Sequence, residues 1–309
     1  MIKLIAVQPE VMGSPEFLRE YFKDFGTSNG RWIPLIPQDW KKRVSAMLKQ
    51  EPNLRPIERN AFRDKITGPK FRDRFVKVPE IEGAADCWEE VVLREIESAQ
   101  IDAAIVVNNP TEEERMLVAG AFDPDCEYYA VSASRIIERE PTALFEPMKR
   151  MIQHATDLSI VDCYCLSQGS SATAYGQFFE RIFSFVRVHN PSLRTVSLYR
   201  KRETELNPEI EKHNYESWLG PILQEGECVK IHYLRERPGG ERLHLRAVFT
   251  EHCLGSGHYG FGGGDGSTTD FVLRNKEEHQ LIQSQYQNSE TRAFDLNETE
   301  ILEIRSVSE

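Results

Sequence analysis

The chain has 309 residues and a formal net charge of −11, with 40% hydrophobic and 10% aromatic residues. That composition buries a core and excludes a disordered or fibrous chain, and the acidic balance excludes a generic polycationic nucleic-acid coat. No apolar run reaches the ~18 residues of a membrane span, and Met1–Val7 gives way at once to Gln8-Pro9-Glu10, unlike a secretion signal. A cytoplasmic protein without membrane contact is expected.

At ~150 residues per domain the length suggests two domains. In chain order, Ile2–Val7 reads as a strand, and "WIPLIPQDW" (Trp32–Trp40) as an extended connector leading into a helix over Lys41–Lys49. Residues 50–80 are proline-punctuated and predict irregular structure or short helices. Trp88, Val91, Val92, Ile96 and Ala99 share a helical face, and "IDAAIVVNN" follows as a buried strand. A helix from Thr111 to about Ala119 and a strand over Tyr128–Ser132 complete an α/β pattern for an N-terminal domain, 1–138.

The second domain, 139–309, opens with one helical face through Leu144, Met148, Met151, Ile152 and Ala155, with Pro147 tolerated only in a first turn. "LSIVDCYCL" (Leu158–Leu166) reads as a strand, and the Ser/Thr-rich "SQGSSAT" as the cap of a helix with the stripe Tyr175, Phe178, Phe179, Ile182, Phe183 and Val186. Leu193–Arg200 is a strand, and Asn207-Pro208 starts a helix running to about Leu219. "ECVKIHYL" and "LHLRAVFT" read as strands of a hairpin turned by "RPGGER", with a strand at "TTDFVLRN" and a helix at Lys276–Gln287 beyond. The fold class is therefore α/β, a mixed sheet sandwiched by helices in the C-terminal half.

The six cysteines have no disulfide-framework spacing and read as reduced thiols. Cys163-Tyr-Cys165 lacks a second Cys/His pair at zinc spacing, so no metal site is expected. Charge is uneven. From Lys41 to Lys77 twelve Lys/Arg face four acids, a local +8 that leaves −19 on the rest. Lys41, Lys42, Arg43, Arg63, Lys70, Arg72 and Arg74 are candidate contacts to nucleic acid or to an acidic partner.

The order helix, "IVDCYC" strand, loop, helix, strand, helix, "HLRAVFTE" strand, from about Glu140 onward, resembles the phospholipase D-like superfamily, in particular its divergent single-copy bacterial members. His244, Arg246 and Glu251 fall at the spacing of that family's His-x-Lys and Asp. Either Gly255-Ser256 or Gly260-Phe261 occupies the glycine turn, and His258 and Tyr259 stand where the family has asparagine. The resemblance implies a histidine that attacks phosphorus, a second histidine that protonates the leaving oxygen, and an acid that holds the first imidazole's tautomer. It implies no cofactor and no metal. With no second His-x-Lys/Arg in the chain, a working site would require a homodimer with facing His244 side chains.

The eroded motif favours a binding or regulatory component over a catalyst. Arg246, Gly255, Ser256 and Gly260 are then phosphate-binding candidates, and nucleic acid or a partner protein is the expected ligand. Relatives of this kind accompany ATPases or nucleases in bacterial antiphage defence. The alternative is a metal-independent phosphodiesterase or nuclease using His244, Arg246 and Glu251 as catalytic residues. The plainer readings are a core histidine at His244, exposed loop histidines at His252 and His258, and a flexible turn in the glycine run.

Overall fold

The computed structural model describes residues 1–81, 87–165, 169–202, 207–263, 266–288, 293–296 and 301–306. The chain divides into two compact units, Met1–Ala133 and Ser134–Glu309, each of α/β architecture. Leu166–Gln168 of the expected capping loop and Gly264-Asp265 of the glycine run lie outside the described residues.

The N-terminal unit contains β1 (Lys3–Val7), α1 (Pro9–Gly13), α2 (Pro15–Tyr21), β2 (Arg31–Pro34), α3 (Trp40–Gln50), α4 (Pro56–Thr67), β3 (Phe75–Val76), α5 (Trp88–Glu97), β4 (Ala103–Val106) and β5 (Met116–Val118). Its five strands are all parallel, in the order β3-β2-β1-β4-β5. A parallel sheet has to be covered on both faces, and strand alternation divides the cover. Ile5, Val7, Ile33 and Ile105 pack with Val11, Phe22, Trp40, Val44 and Phe62. Ala6, Ala104 and Val106 point the other way, onto Trp88, Val91, Val92 and Ile96 of α5.

Several expectations fail here for local reasons. Residues 50–80 hold a full helix, α4, opened by Pro56 at its first position and by Glu58 reaching back to the Arg55 N–H. The expected helix from Thr111 is the strand β5. The Asn109 side-chain amide donates to the Glu113 and Met116 carbonyls, both at 2.9 Å, holding a loop that delivers Met116–Val118 to β4. Tyr128–Ser132 forms no strand, because Tyr129 turns in to donate to Asp24, 3.0 Å away.

The C-terminal unit contains β6 (Ser134–Glu138), α6 (Pro141–Phe145), α7 (Lys149–Gln153), β7 (Leu158–Asp162), α8 (Ser170–His189), β8 (Thr195–Lys201), α9 (Pro208–Leu219), β9 (Cys228–Arg235), β10 (Arg246–Thr250), β11 (Leu254–Gly257), β12 (Thr268–Leu273), α10 (Lys276–Gln287), β13 (Asp295–Leu296) and β14 (Leu302–Arg305). The sheet runs β13-β9-β8-β7-β10-β11-β12-β6, with β14 also on β9. β7, β8 and β9 are mutually parallel, and the remaining pairings are antiparallel. Val161, Tyr199, Ala247 and Phe249 join Tyr286 of α10 in one core layer. The alternate residues Ile160, Leu198 and Val248 are equally buried and by strand periodicity face the opposite way.

β6 pairs with β12, so the boundary falls after Ala133 rather than near residue 138. Pro147 breaks the expected single helix into α6, a 3-10 turn and α7. The "RPGGER" turn exists, with Gly239 at φ +72° and the Gly240 N–H on the Arg237 carbonyl. It does not make a hairpin. β9 lies outside β8 and β10 lies on the far side of β7, because β9 takes β13 and β14 from the C-terminus as its partners. β7 ends at Asp162, so Cys163 and Cys165 lie beyond the strand. All six cysteines are free. Burial pushes the Cys163 thiol up to about 12 and the Cys165 thiol well above its ordinary value, which suits packing.

Candidate functional site

The site forms where β10 leaves the loop after β9. A cleft of about 390 Å³ there is lined by His244, Arg246, Ser256, His258, Tyr259 and Arg274. Strand pairing assembles it. Arg246 sits opposite Asp162 of β7, and Ala247 opposite Ser256 of β11. Ser256 in turn lies opposite Val272 of β12, the strand that leads to Arg274.

His244 is exposed and precedes β10 rather than lying in the core. Its Nδ1 is 2.9 Å from the Arg242 carbonyl, an acceptor, so in the neutral imidazole Nδ1 carries the proton and Nε2 the lone pair. The tautomer-fixing role expected of Glu251 therefore falls to a backbone carbonyl. Glu251 stands past the far end of β10, roughly 16 Å along the strand from Arg246. Its carboxylate accepts from the Thr156 N–H and hydroxyl at 2.7 and 2.8 Å and pairs with His252 at 3.3 Å. It is a loop clamp, and the expected triad does not assemble.

Arg246 donates through one terminal nitrogen to the His244 carbonyl at 2.7 Å, and its guanidinium lies 4.8 Å from the Tyr164 ring centroid. Its Nε is buried and has no hydrogen-bond partner among the described residues. An N–H in that condition costs about 1–3 kcal/mol unless something accepts from it. Beneath it, Asp162 is fully buried and accepts from the Tyr175 hydroxyl, the Phe261 N–H at 2.9 Å and the Tyr164 N–H at 3.1 Å. Burial raises its pKa, and the three donors and the nearby Arg246 charge work against that rise.

The glycines serve packing more than phosphate binding. A Cβ on Gly255 would meet the Phe271 ring at 2.2 Å, and one on Gly260 would meet Asp162 Oδ2 at 2.7 Å. Gly260 thus lets the Phe261 N–H reach Asp162. Ser256 is buried and accepts from Arg274 Nε at 2.7 Å, and Glu278 of α10 holds the same guanidinium at 3.3 Å. Gly255, Ser256 and Gly260 are accordingly supports of the cleft, and Ser256 is its one lining residue among the three.

His258, taken from sequence as a loop residue, lines the same cleft as His244 and packs edge-on against Tyr259, with ring centroids 4.8 Å apart. Arg139 lies 5.0 Å from the centre of the Tyr259 ring. Two exposed tyrosines, Tyr164 and Tyr259, therefore each carry an arginine on one face. Sequence reasoning missed Arg274 and Arg139, which nothing short of the strand order places here. His258 had a signal, since it occupies the position of the family's asparagine.

The basic segment does not form one surface. Lys41 lies over the Phe75 ring at 3.9 Å, and Arg74 over Phe22 at 4.2 Å while donating to the Phe22 carbonyl. Burial lowers the pKa of both. Arg43 pairs with Asp39 at 3.0 Å, and Lys70 lies 5.8 Å from the Phe71 ring centroid. Lys42, Arg63 and Arg72 are exposed. Four of the seven predicted contacts, Lys41, Arg43, Lys70 and Arg74, thus already have partners within the unit.

Among the described residues no three His, Cys, Asp or Glu side chains come together to hold a metal ion, and no helix is long and apolar enough to cross a membrane. Fold and site together define a two-unit α/β protein with a cationic, histidine-lined cleft at the strand ends of a mixed sheet. No protein-family model and no curated protein matches the chain. Among solved structures it is similar to TrmBL2, an archaeal chromatin protein whose structure is described as showing a novel mode of DNA binding. The TM-score is 0.28, with 9% identity over 82% of each chain, a likeness too slight to carry an argument.

Proposed function

We propose that the C-terminal unit is a phospholipase D-like binding module that takes a phosphate group of nucleic acid in the cleft between His244 and Arg274. The observation that carries the reading is the buried, unpartnered Nε of Arg246 in a cleft lined by a second arginine and two imidazoles. An oxyanion is the ligand that satisfies such donors, and an arginine edge is shaped for it. Tyr164 and Tyr259 favour nucleic acid over a free anion, because exposed rings beside a phosphate site are stacking platforms for bases. The role in a multi-protein defence assembly with an ATPase or nuclease rests on the resemblance alone.

A second reading, a metal-independent phosphodiesterase, is favoured by one observation: His258 brings a second imidazole to the cleft of the same chain. With Nδ1–H of His244 committed to a carbonyl, its Nε2 has the lone pair that attack on phosphorus needs. His258 would then supply the proton for the leaving oxygen.

The test is binding and cleavage of single- and double-stranded DNA and RNA in the presence of EDTA. Arg246→Ala should weaken binding roughly 10- to 100-fold, the value of losing charge-assisted hydrogen bonds. Wild-type affinity in that variant defeats the proposal. Cleavage lost in both His244→Ala and His258→Ala establishes the second reading, whereas no cleavage with binding retained in both leaves the binding module.

A further inference from the structure

The N-terminal unit carries a second cationic hollow that the basic segment's residue count alone does not reveal. A groove of about 210 Å³ at helices α3 and α4 is lined by the apolar Leu48 and Pro56 and by Ser45, Lys49, Arg59, Asn60 and Arg63. No acidic side chain lines it. Every polar group at its wall is a hydrogen-bond donor or can serve as one.

Two of those groups are buried and have no partner among the described residues. Ser45 Oγ sits inside α3, where a serine hydroxyl ordinarily bonds back to the carbonyl one turn earlier, and here makes no hydrogen bond. Arg59 gives one terminal nitrogen to the Glu51 carbonyl at 2.8 Å, which anchors the guanidinium, yet its buried Nε has no acceptor. Of the neighbouring acids, Glu51 and Glu58 are committed away from the groove, and Asp64 sits beside its lining residue Arg63. Glu51 accepts from the Asn53 N–H and side-chain amide at 3.3 and 3.1 Å, Glu58 is paired with Arg55 and Arg19, and Asp64 approaches Arg63 only to 4.0 Å.

We infer that this groove is an anion site for a phosphate group, distinct from the His244 cleft. The donors come from two helices, Ser45 and Lys49 on α3 and Arg59, Asn60 and Arg63 on α4, and their number suits the several oxygens of a tetrahedral anion. The volume lies below the ~300–1,000 Å³ of sites that enclose a drug-sized ligand. One phosphate fits, with whatever it is attached to lying outside. The phosphate belongs either to a phosphomonoester or to a nucleic-acid backbone, and the chemistry at the groove is the same for both.

The inference does not rest on the reading given to the C-terminal cleft, and the experiment keeps the two apart. The full chain is titrated with inorganic phosphate, and separately with a short single-stranded DNA lacking terminal phosphates. Signals of the arginine Nε–H groups are followed by NMR at constant ionic strength set with chloride. Arg59 Nε–H is expected to shift saturably with phosphate. Arg59→Gln and Ser45→Ala should each weaken that binding by about tenfold or more, while Arg246→Ala leaves it unchanged.

Saturation by DNA at concentrations well below those needed for phosphate assigns the groove to a nucleic-acid backbone. Saturation by phosphate alone assigns it to a phosphomonoester. Absence of a saturable shift with either probe overturns the inference, as does wild-type affinity in Ser45→Ala and the exposed Arg63→Gln, which keep the test valid should Arg59→Gln fail to fold.

Discussion

The two units place their charges in opposite ways. In the N-terminal unit the cations of the basic segment rest on ring faces, Lys41 on Phe75, Arg74 on Phe22 and Lys65 near Phe62. The deep polar contacts there are neutral indoles, Trp40 donating to the Val7 carbonyl and Trp88 to that of Ile36. The C-terminal unit buries whole charges instead. Asp162 and Arg200 are fully buried at the C-terminal ends of the parallel strands β7 and β8, with Glu211 and Glu227 nearly so. Stacking a cation over the face of a core ring while its charged end stays partly in solvent costs little. Burying one costs several kcal/mol unless its geometry is met. The contrast indicates that the second unit's strand ends are held to one arrangement, and that the cleft beside Asp162 inherits that rigidity.

The largest effect expected is at Arg200. It donates to Glu211 at 3.1 Å and to the Tyr215 hydroxyl at 2.6 Å, and Tyr215 passes its own proton to the Cys165 carbonyl. Arg200→Met strands the Glu211 carboxylate and should cost about 3–5 kcal/mol in urea unfolding. The double variant Arg200→Met/Glu211→Leu should recover a good part of it. Arg74→Met, the matching change in the N-terminal unit, should cost no more than about 2 kcal/mol. Equal losses would break the comparison.

Next comes Asp162. Asp162→Ala leaves the Tyr175 hydroxyl and two backbone N–H groups unpaired, for a loss of about 2–4 kcal/mol, together with the phosphate affinity of the cleft. Gly260→Ala pushes a methyl group against the same carboxylate and should lower affinity while costing less stability. If affinity survives in both, the cleft does not depend on the buried pillar.

How much of this was legible in the sequence follows the range of the forces involved. β1, α3, α5, β4, α9 and α10 stand where periodicity and capping residues put them, because their apolar faces and their caps are written locally. Asn207 and Asn275, for example, accept from the N–H groups of Glu209 and Glu278. β9 was read as a strand but given the wrong partner, because β8, β13 and β14 lie far from it along the chain, and β5 was misread because the Asn109-held loop before it carries a helix-like composition. The spacing His244-x-Arg246 was a sound guide, since two residues of one chain segment cannot separate. Glu251 was not, because five residues of intervening strand carry it to the other end of the sheet. Arg274 reaches the cleft only through the order β10-β11-β12, which local sequence does not encode.

A smaller effect reads the same burial through pH. His279 of α10 is buried and donates from Nε2 to the Thr250 carbonyl at 2.8 Å, with His252 and Glu251 nearby. Burial lowers its pKa, so the unfolded chain binds the extra proton more readily than the folded one. Stability is then fully present above the unfolded value of about 6.5 and declines as pH falls through the folded one. His279→Gln keeps a donor for Thr250 and should flatten the decline in urea midpoint between about pH 7 and about pH 5. An unchanged slope places the acid sensitivity elsewhere.

The smallest effect is at the cations of the basic segment that the scaffold does not use. Lys42 and Arg72 are exposed and line neither the α3–α4 groove nor a ring face. Replacing both with Gln should leave stability within about 0.5 kcal/mol. Lys41→Gln removes a partly desolvated cation from Phe75 and should cost about 0.5–2 kcal/mol. The salt dependence of DNA binding carries the sharper half of this test. If the groove is where the backbone is held, Arg63→Gln lowers the slope of log affinity against log salt by about 0.7, the value per single-strand phosphate. The Lys42/Arg72 pair leaves the slope where it was. A drop of twice that size from the pair would mean that exposed charge, and not the groove built between two helices, is what the N-terminal unit offers to a polyanion.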